Sequence, residues 1–243
     1  MNYRITIAWD GTDYQGWQLQ GGRPTIQGAI SAALEKIAGQ PVVPHGAGRT
    51  DSGVHAAGQV ASFRLEREWA GKKLRDALNG NLPEDIRVLE AEAAPDEFHA
   101  RFDARGKTYR YQLDTGEVMN PLLARYAWHY PWSVDRELLT ETGRRLPGTH
   151  DFTVFTVASC ETRTRIRTLT DFQLEADGPL LRLYFSGDGF LRYMVRRMVS
   201  TLLAFNRRGW RPATFDEIVA ICDRTRASTL APAKGLTLMK VEY

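Results

Sequence analysis

The chain has 243 residues, 43% hydrophobic and 25% charged, the balance of a globular protein large enough for one big domain or two small ones. Its 32 Lys and Arg against 29 Asp and Glu leave a formal net charge of +3, too small by itself to identify a nucleic-acid partner. No run of roughly eighteen apolar residues is present to span a bilayer, no apolar signal core follows the N-terminus, and Cys160 and Cys222 lack disulfide or metal-ligand spacing; a cytoplasmic protein with reduced, structural cysteines is expected.

Tyr3, Ile5, Ile7 and Trp9 alternate with Arg4, Thr6 and Ala8, which predicts a half-buried strand. The run Asp10-Gly-Thr-Asp-Tyr-Gln-Gly-Trp-Gln18 breaks the alternation and offers Tyr14 and Trp17 as stacking faces. Past Gly21-Gly22-Arg23-Pro24, Thr25 suits an N-cap, and Ile26, Ile30, Leu34 and Ile37 fall on one helical stripe that ends at Gly39. Pro41 and Pro44 lead into His45-Gly-Ala-Gly-Arg-Thr-Asp-Ser-Gly-Val-His-Ala-Ala-Gly-Gln-Val60, whose four glycines predict a tightly folded loop, and a strand resumes over 60–65.

A helix is expected over 72–79 and a strand over 86–89, followed by the irregular Pro95-Asp-Glu-Phe-His-Ala-Arg-Phe-Asp-Ala104. Gly106-Lys-Thr-Tyr-Arg-Tyr-Gln-Leu113 reads as a strand with Tyr109, Tyr111 and Leu113 on one face. A helix starting at Ser133 carries Leu138, Leu139 and Leu146. Arg163, Arg165 and Arg167 then alternate, which in a strand places three guanidiniums on one face, suited either to phosphate or to solvent. A strand over 180–185 precedes a helix over 190–205, in which Arg192 and Arg196 share one side and Met194, Met198 and Leu202 another. Arg197, Arg207, Arg208 and Arg211 extend the basic track. An amphipathic helix over 214–222 and a closing strand complete the chain, which divides near residue 105 into an N-terminal half, 1–105, and a C-terminal half, 106–243.

Charge and backbone freedom concentrate most around Arg49-Thr50-Asp51. A carboxylate two residues from a guanidinium on a glycine-shaped turn can be presented as an oriented, ionised group, which makes Asp51 a candidate nucleophile; an Asp in such a loop can equally be a turn former bonded to its own backbone. Nucleotide loops fit poorly, because Asp51 occupies the place of the third glycine of G-x-G-x-x-G and no G-K-[ST] follows. Metal, nicotinamide and P-loop signatures are all missing, so no cofactor is expected.

Arg49-Thr-Asp-Ser-Gly-Val-His-Ala56 resembles the signature of the tRNA pseudouridine synthase A family. The resemblance continues through the segments beginning at Asp10, Lys107, Gly189 and Ala231, and so covers nearly the whole chain. It implies an α/β (α+β) pseudouridine synthase fold, a mixed and largely antiparallel sheet flanked by helices in two similar halves around a cleft. It further implies a homodimer that isomerises uridine to pseudouridine in the anticodon stem-loop of tRNA.

On that resemblance Asp51 is the catalytic carboxylate, Arg196 of Gly-Phe-Leu-x-x-Met-Val-Arg pairs with it, and Tyr109 of T-Y-R-Y stacks on the extruded uracil or takes the C5 proton. Arg49 takes phosphate or props the vacated base position, and Leu236 of A-P-A-x-G-L-x-L is an apolar neighbour of the active site. Arg165 and Arg192, from the arginine track, are assigned to the RNA; His99 and Arg101 contact its backbone or cap the junction of the halves. Whether Asp51 attacks sugar or base or promotes elimination stays open. Competing readings are a glycoside hydrolase, which typically uses a second carboxyl group that the motifs do not supply, and a non-catalytic RNA-binding module.

Overall fold

The computed structural model describes every residue except 160, 161, 222, 224–226 and 228. Both cysteines, Cys160 and Cys222, lie outside the described residues. In chain order the elements are β1 (Asn2–Trp9), α1 (Ile26–Ala38), β2 (His45–Gly46), β3 (His55–Arg64), α2 (Gly71–Asn79), β4 (Ile86–Ala94), β5 (Gly106–Asp114), β6 (Trp128–His129), α3 (Arg136–Gly143), β7 (Gly148–Asp151), β8 (Ile166–Asp177), β9 (Leu180–Gly187), α4 (Met194–Arg208), α5 (Pro212–Ile221) and β10 (Leu236–Glu242). This is the mixed, mostly antiparallel α/β class the sequence implies. The chain forms two compact units, one of Met1–Arg105 with Thr237–Tyr243, the other of Gly106–Leu236.

In the first unit β1 lies between β3 and β4, antiparallel to both. Its period of two is realised in the burial: Tyr3, Ile5, Ile7 and Trp9 are buried while Arg4, Thr6 and Ala8 are half-buried. The far edge of β3 is shared. The short β2 pairs antiparallel at His45↔Ser62 and Gly46↔Ala61, and β10 pairs parallel at Thr237↔His55 and Leu238↔Ala56. Helix α1 begins where Thr25 accepts the Gly28 N–H and stops at Gly39, whose φ of 73° only glycine adopts cheaply. It buries Ile26, Ile30 and Leu34, each worth about 1.5–3 kcal/mol of transfer from water.

In the second unit the antiparallel order is β5-β9-β8-β7, with β6 parallel to β5 at Leu113 and Asp114. Helix α4 packs through Met194, Met198 and Leu202, all buried as the periodicity predicts.

Several boundaries differ from the sequence reading. Strand β3 starts at His55 rather than near Val60, so the last third of the glycine-rich stretch is sheet. Helix α3 starts at Arg136, not Ser133, because Asp135 is the residue whose carboxylate accepts an N-terminal N–H, that of Leu138; Leu146 is buried beyond the helix end. The arginine alternation does not form one strand face: β8 begins at Ile166, whose N–H is taken by the Thr164 hydroxyl, a local bond that competes with the ladder. Arg163 and Arg165 therefore precede the strand. Helix α4 begins at Met194, because Tyr193 takes a left-handed conformation that a helix cannot continue through, and Arg192 is outside it.

Candidate active site

Asp51 sits in the loop between β2 and β3, and that loop is fixed from two sides. From β3, Val60 O accepts the Ala47 N–H at 2.8 Å, and Nε2 of the fully buried Gln59 donates to Gly48 O at 2.9 Å. From the end of β1 and the run after it, the Trp17 N–H donates to Thr50 O at 3.2 Å, Trp9 Nε1 donates to Val54 O at 3.0 Å, and Tyr14 O accepts the Gly53 N–H at 3.1 Å. The Gly11 N–H donates to His55 Nδ1 at 3.0 Å.

The two loops approach so closely that side chains are excluded. A Cβ on Gly16, which has φ 83°, would lie 2.4 Å from Thr50 O, and one on Gly11 would lie 2.1 Å from Val54 O. The Tyr14 hydroxyl donates to Asp85 Oδ1 at 2.7 Å; burial, reinforced by that bond, pushes its pKa above the ordinary tyrosine value. The D-G-T-x-Y-x-G-W-Q run is thus the clamp on the Asp51 loop, a role its polar, aromatic composition did not disclose.

Within the clamp the Asp51 side chain is half-buried and Arg49 is exposed. The turn closes with the Val54 N–H on the Asp51 carbonyl at 3.2 Å. Thr50 is buried, and its hydroxyl has no hydrogen-bond partner among the described residues. Such a loop can hold a carboxylate in one place at no reorganisation cost during reaction, the requirement for a nucleophile.

The second unit carries the other candidates. Tyr109 on β5 lies opposite Phe185 of β9, is buried, and meets the Phe190 ring edge-on at 5.0 Å. Tyr111, fully buried, donates its hydroxyl to Pro232 O at 2.7 Å; burial pushes its pKa up, against an opposing pull from the Arg196 charge. Arg196, in the first turn of α4, is half-buried and donates Nε–H to Ala231 O at 2.7 Å. Its guanidinium carbon lies 5.5 Å from the centre of the Tyr193 ring.

Leu236 is buried at the start of β10. Gly235 before it leaves no room for a side chain, since a Cβ would lie 2.6 Å from the Tyr111 ring. Arg192 is exposed, with its guanidinium 4.8 Å from the Tyr193 ring centre and Nη2 3.0 Å from the Tyr193 hydroxyl. Arg165 is half-buried, and its Nε has no partner among the described residues.

In the first unit, then, Arg49 and Asp51 share one clamped loop. In the second, Arg196 and Tyr111 converge on the carbonyls of Ala231 and Pro232, while Arg192 and Arg196 converge on Tyr193. Those carbonyls and Tyr193 escaped the sequence reading: a backbone oxygen has no residue signature, and no propensity places a tyrosine in a left-handed turn. His99 accepts the Arg101 N–H at Nδ1 and has the rings of His45 and Phe102 at 5.3 and 4.3 Å. Among the described residues no three His, Cys, Asp or Glu are grouped to hold a metal ion, and no helix is long and apolar enough to cross a membrane.

A family model described as tRNA pseudouridine synthase matches residues 5–103 and 144–243. The tRNA pseudouridine synthase A of Streptococcus gordonii is 41% identical over 244 residues, covering 99% of this chain and 98% of that one. That of Xanthobacter autotrophicus is 39% identical over 242 residues, with 99% of each chain covered. That of Moorella thermoacetica is 41% identical over 243 residues, covering 99% and 98%. The stretch carrying Tyr109, outside the family match, is within these full-length similarities.

Proposed function

The chain belongs to the tRNA pseudouridine synthase family, and on that premise we propose that it isomerises uridine to pseudouridine in the anticodon stem-loop of tRNA with Asp51 as nucleophile. The reaction breaks the C1′–N1 bond and forms C1′–C5; the C5 proton leaves and N1 gains one, so no group is imported and no electrons are exchanged. A base within a stem is out of reach, so the nucleotide is flipped out at a cost of a few kcal/mol. Tyr109 receives the base and takes the C5 proton, Arg196 favours the ionised carboxylate, and Arg49 holds phosphate or the vacated position. Leu236 packs beside the base, and Arg165 and Arg192 contact the RNA.

The observation that carries the reading is the clamped Arg49-Thr50-Asp51 loop, with backbone carbonyls on either side of Asp51 tied down and its side chain half-exposed. A turn-forming Asp would not need a second loop seated against it at side-chain-excluding distance.

Single-turnover incubation of wild type and Asp51→Asn with tRNA radiolabelled in uridine, followed by digestion and nucleoside chromatography, tests it. Pseudouridine from wild type alone, with both proteins binding tRNA, is expected. Unchanged uridine from wild type would leave a binding module, and released uracil a hydrolase. The proposal includes a cytoplasmic homodimer, which light scattering would check as a solution mass of twice the chain's 27.4 kDa.

A further inference from the structure

Helix α4 starts in an unusual way. Its N-cap is Tyr193 at φ 65° and ψ 1°, with no side-chain bond to the helix's free N–H groups. Tyr193 is the only non-glycine residue with positive φ among the described residues. Serine, threonine, aspartate or asparagine ordinarily fills this place, and a bulky residue in this conformation is held there only by its surroundings.

Neighbouring backbone and side-chain groups supply those surroundings. The Arg197 N–H donates to the Tyr193 carbonyl at 3.0 Å, Met194 N–H donates to Leu191 O at 3.1 Å, and the buried Thr156 hydroxyl donates to Arg192 O at 3.1 Å. Leu191 and Met194, flanking the turn, are buried. The backbone is thus locked in a shape that turns the Tyr193 ring toward two guanidiniums, those of Arg192 at 4.8 Å and Arg196 at 5.5 Å.

We propose that Tyr193 is a positioning residue for Arg196. The Ala231 carbonyl holds Arg196 through Nε and the Tyr193 ring attracts the guanidinium, so that its terminal N–H groups are presented in one orientation. Arg192, bonded to the Tyr193 hydroxyl, steadies the ring. The left-handed N-cap is the means by which a residue three positions before Arg196 presents an aromatic face instead of a cap. The inference concerns the same site as the proposed reaction and rests on that reading for its effect on turnover, but not for the orientation of Arg196.

Two measurements on the full-length protein test it. In ¹⁵N-labelled protein, with the Arg196 Nε–H resonance assigned from its loss in Arg196→Lys, Tyr193→Gly should speed hydrogen exchange at that position by about tenfold or more, while Tyr193→Phe stays within about threefold of wild type. In single turnover on tRNA, Tyr193→Gly should slow pseudouridine formation at saturation by about 10- to 100-fold with the half-saturating concentration changed less than about threefold, and Tyr193→Phe should be close to wild type. Glycine tolerates the backbone, so the melting temperature should not fall; Tyr193→Asn, which also tolerates it, supplies a ringless protein should the glycine variant fail to fold. Unchanged Arg196 exchange in the ringless variants, or equal acceleration in Tyr193→Phe, would overturn the proposal. If wild type makes no pseudouridine, the reaction falls while the exchange comparison still decides the role of Tyr193.

Discussion

Arg196 Nε–H donates to the Ala231 carbonyl across 2.7 Å, and this bond joins the first turn of a helix to the closing motif 35 residues later. The neighbouring carbonyl, of Pro232, takes the Tyr111 hydroxyl at 2.7 Å, and Gly235 leaves space for the Tyr111 ring. The A-P-A-K-G-L stretch therefore does more than supply Leu236. Two successive carbonyls hold Arg196 and Tyr111, and a proline between them fixes the local φ.

Arg196→Lys should consequently be damaging although it keeps the charge. Lysine has no donor at the Nε position and no planar fork, so the bond to Ala231 cannot be kept while a charge is presented beyond it. A stability loss of about 1 kcal/mol is expected from the half-buried bond, with pseudouridine formation lowered about 100-fold or more. Urea unfolding and single-turnover rates check the two halves of this statement separately.

Gly16→Ala should act on Asp51 from a distance in sequence. The new methyl would stand 2.4 Å from Thr50 O and 3.0 Å from the Asp51 carbonyl carbon, at a residue with φ 83°. Both clash and backbone strain oppose folding, together on the order of 2–4 kcal/mol. The protein can relieve them only by moving the Asp51 loop away from its clamp. Lower stability with a further loss of turnover in the fraction that remains folded is expected; a folded Gly16→Ala protein with wild-type turnover would mean that the clamp does not position Asp51.

How much of this was legible beforehand follows the reach of each interaction. Helix α1 was readable from cap to cap because Thr25, the apolar stripe and Gly39 act within a few residues of one another. The alternation in β1 was readable for the same reason. The start of α4 was not, since the apolar period runs through residues 190–193 while the break at Tyr193 is held by Thr156, in the segment between β7 and β8. The Asp51 loop could be picked out by its glycines and charges, but its clamp depends on Trp17 meeting Thr50 and Tyr14 meeting Gly53, contacts no periodicity encodes. The arginine track failed at Thr164, where one hydroxyl ended the extended chain before β8.

Tyr109→Phe separates packing from chemistry. The ring that meets Phe190 at 5.0 Å is retained, so stability should change by less than about 1 kcal/mol. The proposed final step takes the C5 proton through the hydroxyl, which the variant lacks. tRNA affinity within a few-fold of wild type with stalled product formation is expected, and normal turnover would leave Tyr109 a stacking role only. Filter binding and nucleoside chromatography on the same preparations would measure both.

The buried phenols give the stability a direction with pH. In the folded chain burial raises the pKa values of Tyr111, Tyr14, Tyr130 and Tyr243 above the ordinary 10.0. A raised value means that the folded state keeps its proton more firmly than the unfolded one. The associated stability is thus fully present below the unfolded value and is lost as pH rises from there through the folded value. Tyr111, with no exposed surface and the charge of Arg196 only partly offsetting its burial, is the strongest case. It should contribute a fall approaching about 1.4 kcal/mol per pH unit above pH ~10. Urea unfolding at about pH 8, 10 and 11 should show this fall in wild type and a shallower one in Tyr111→Phe, whose neutral-pH stability drops by about 1 kcal/mol for the lost bond to Pro232. Identical slopes in the two proteins would show that Tyr111 ionises as readily in the folded chain as in the unfolded one.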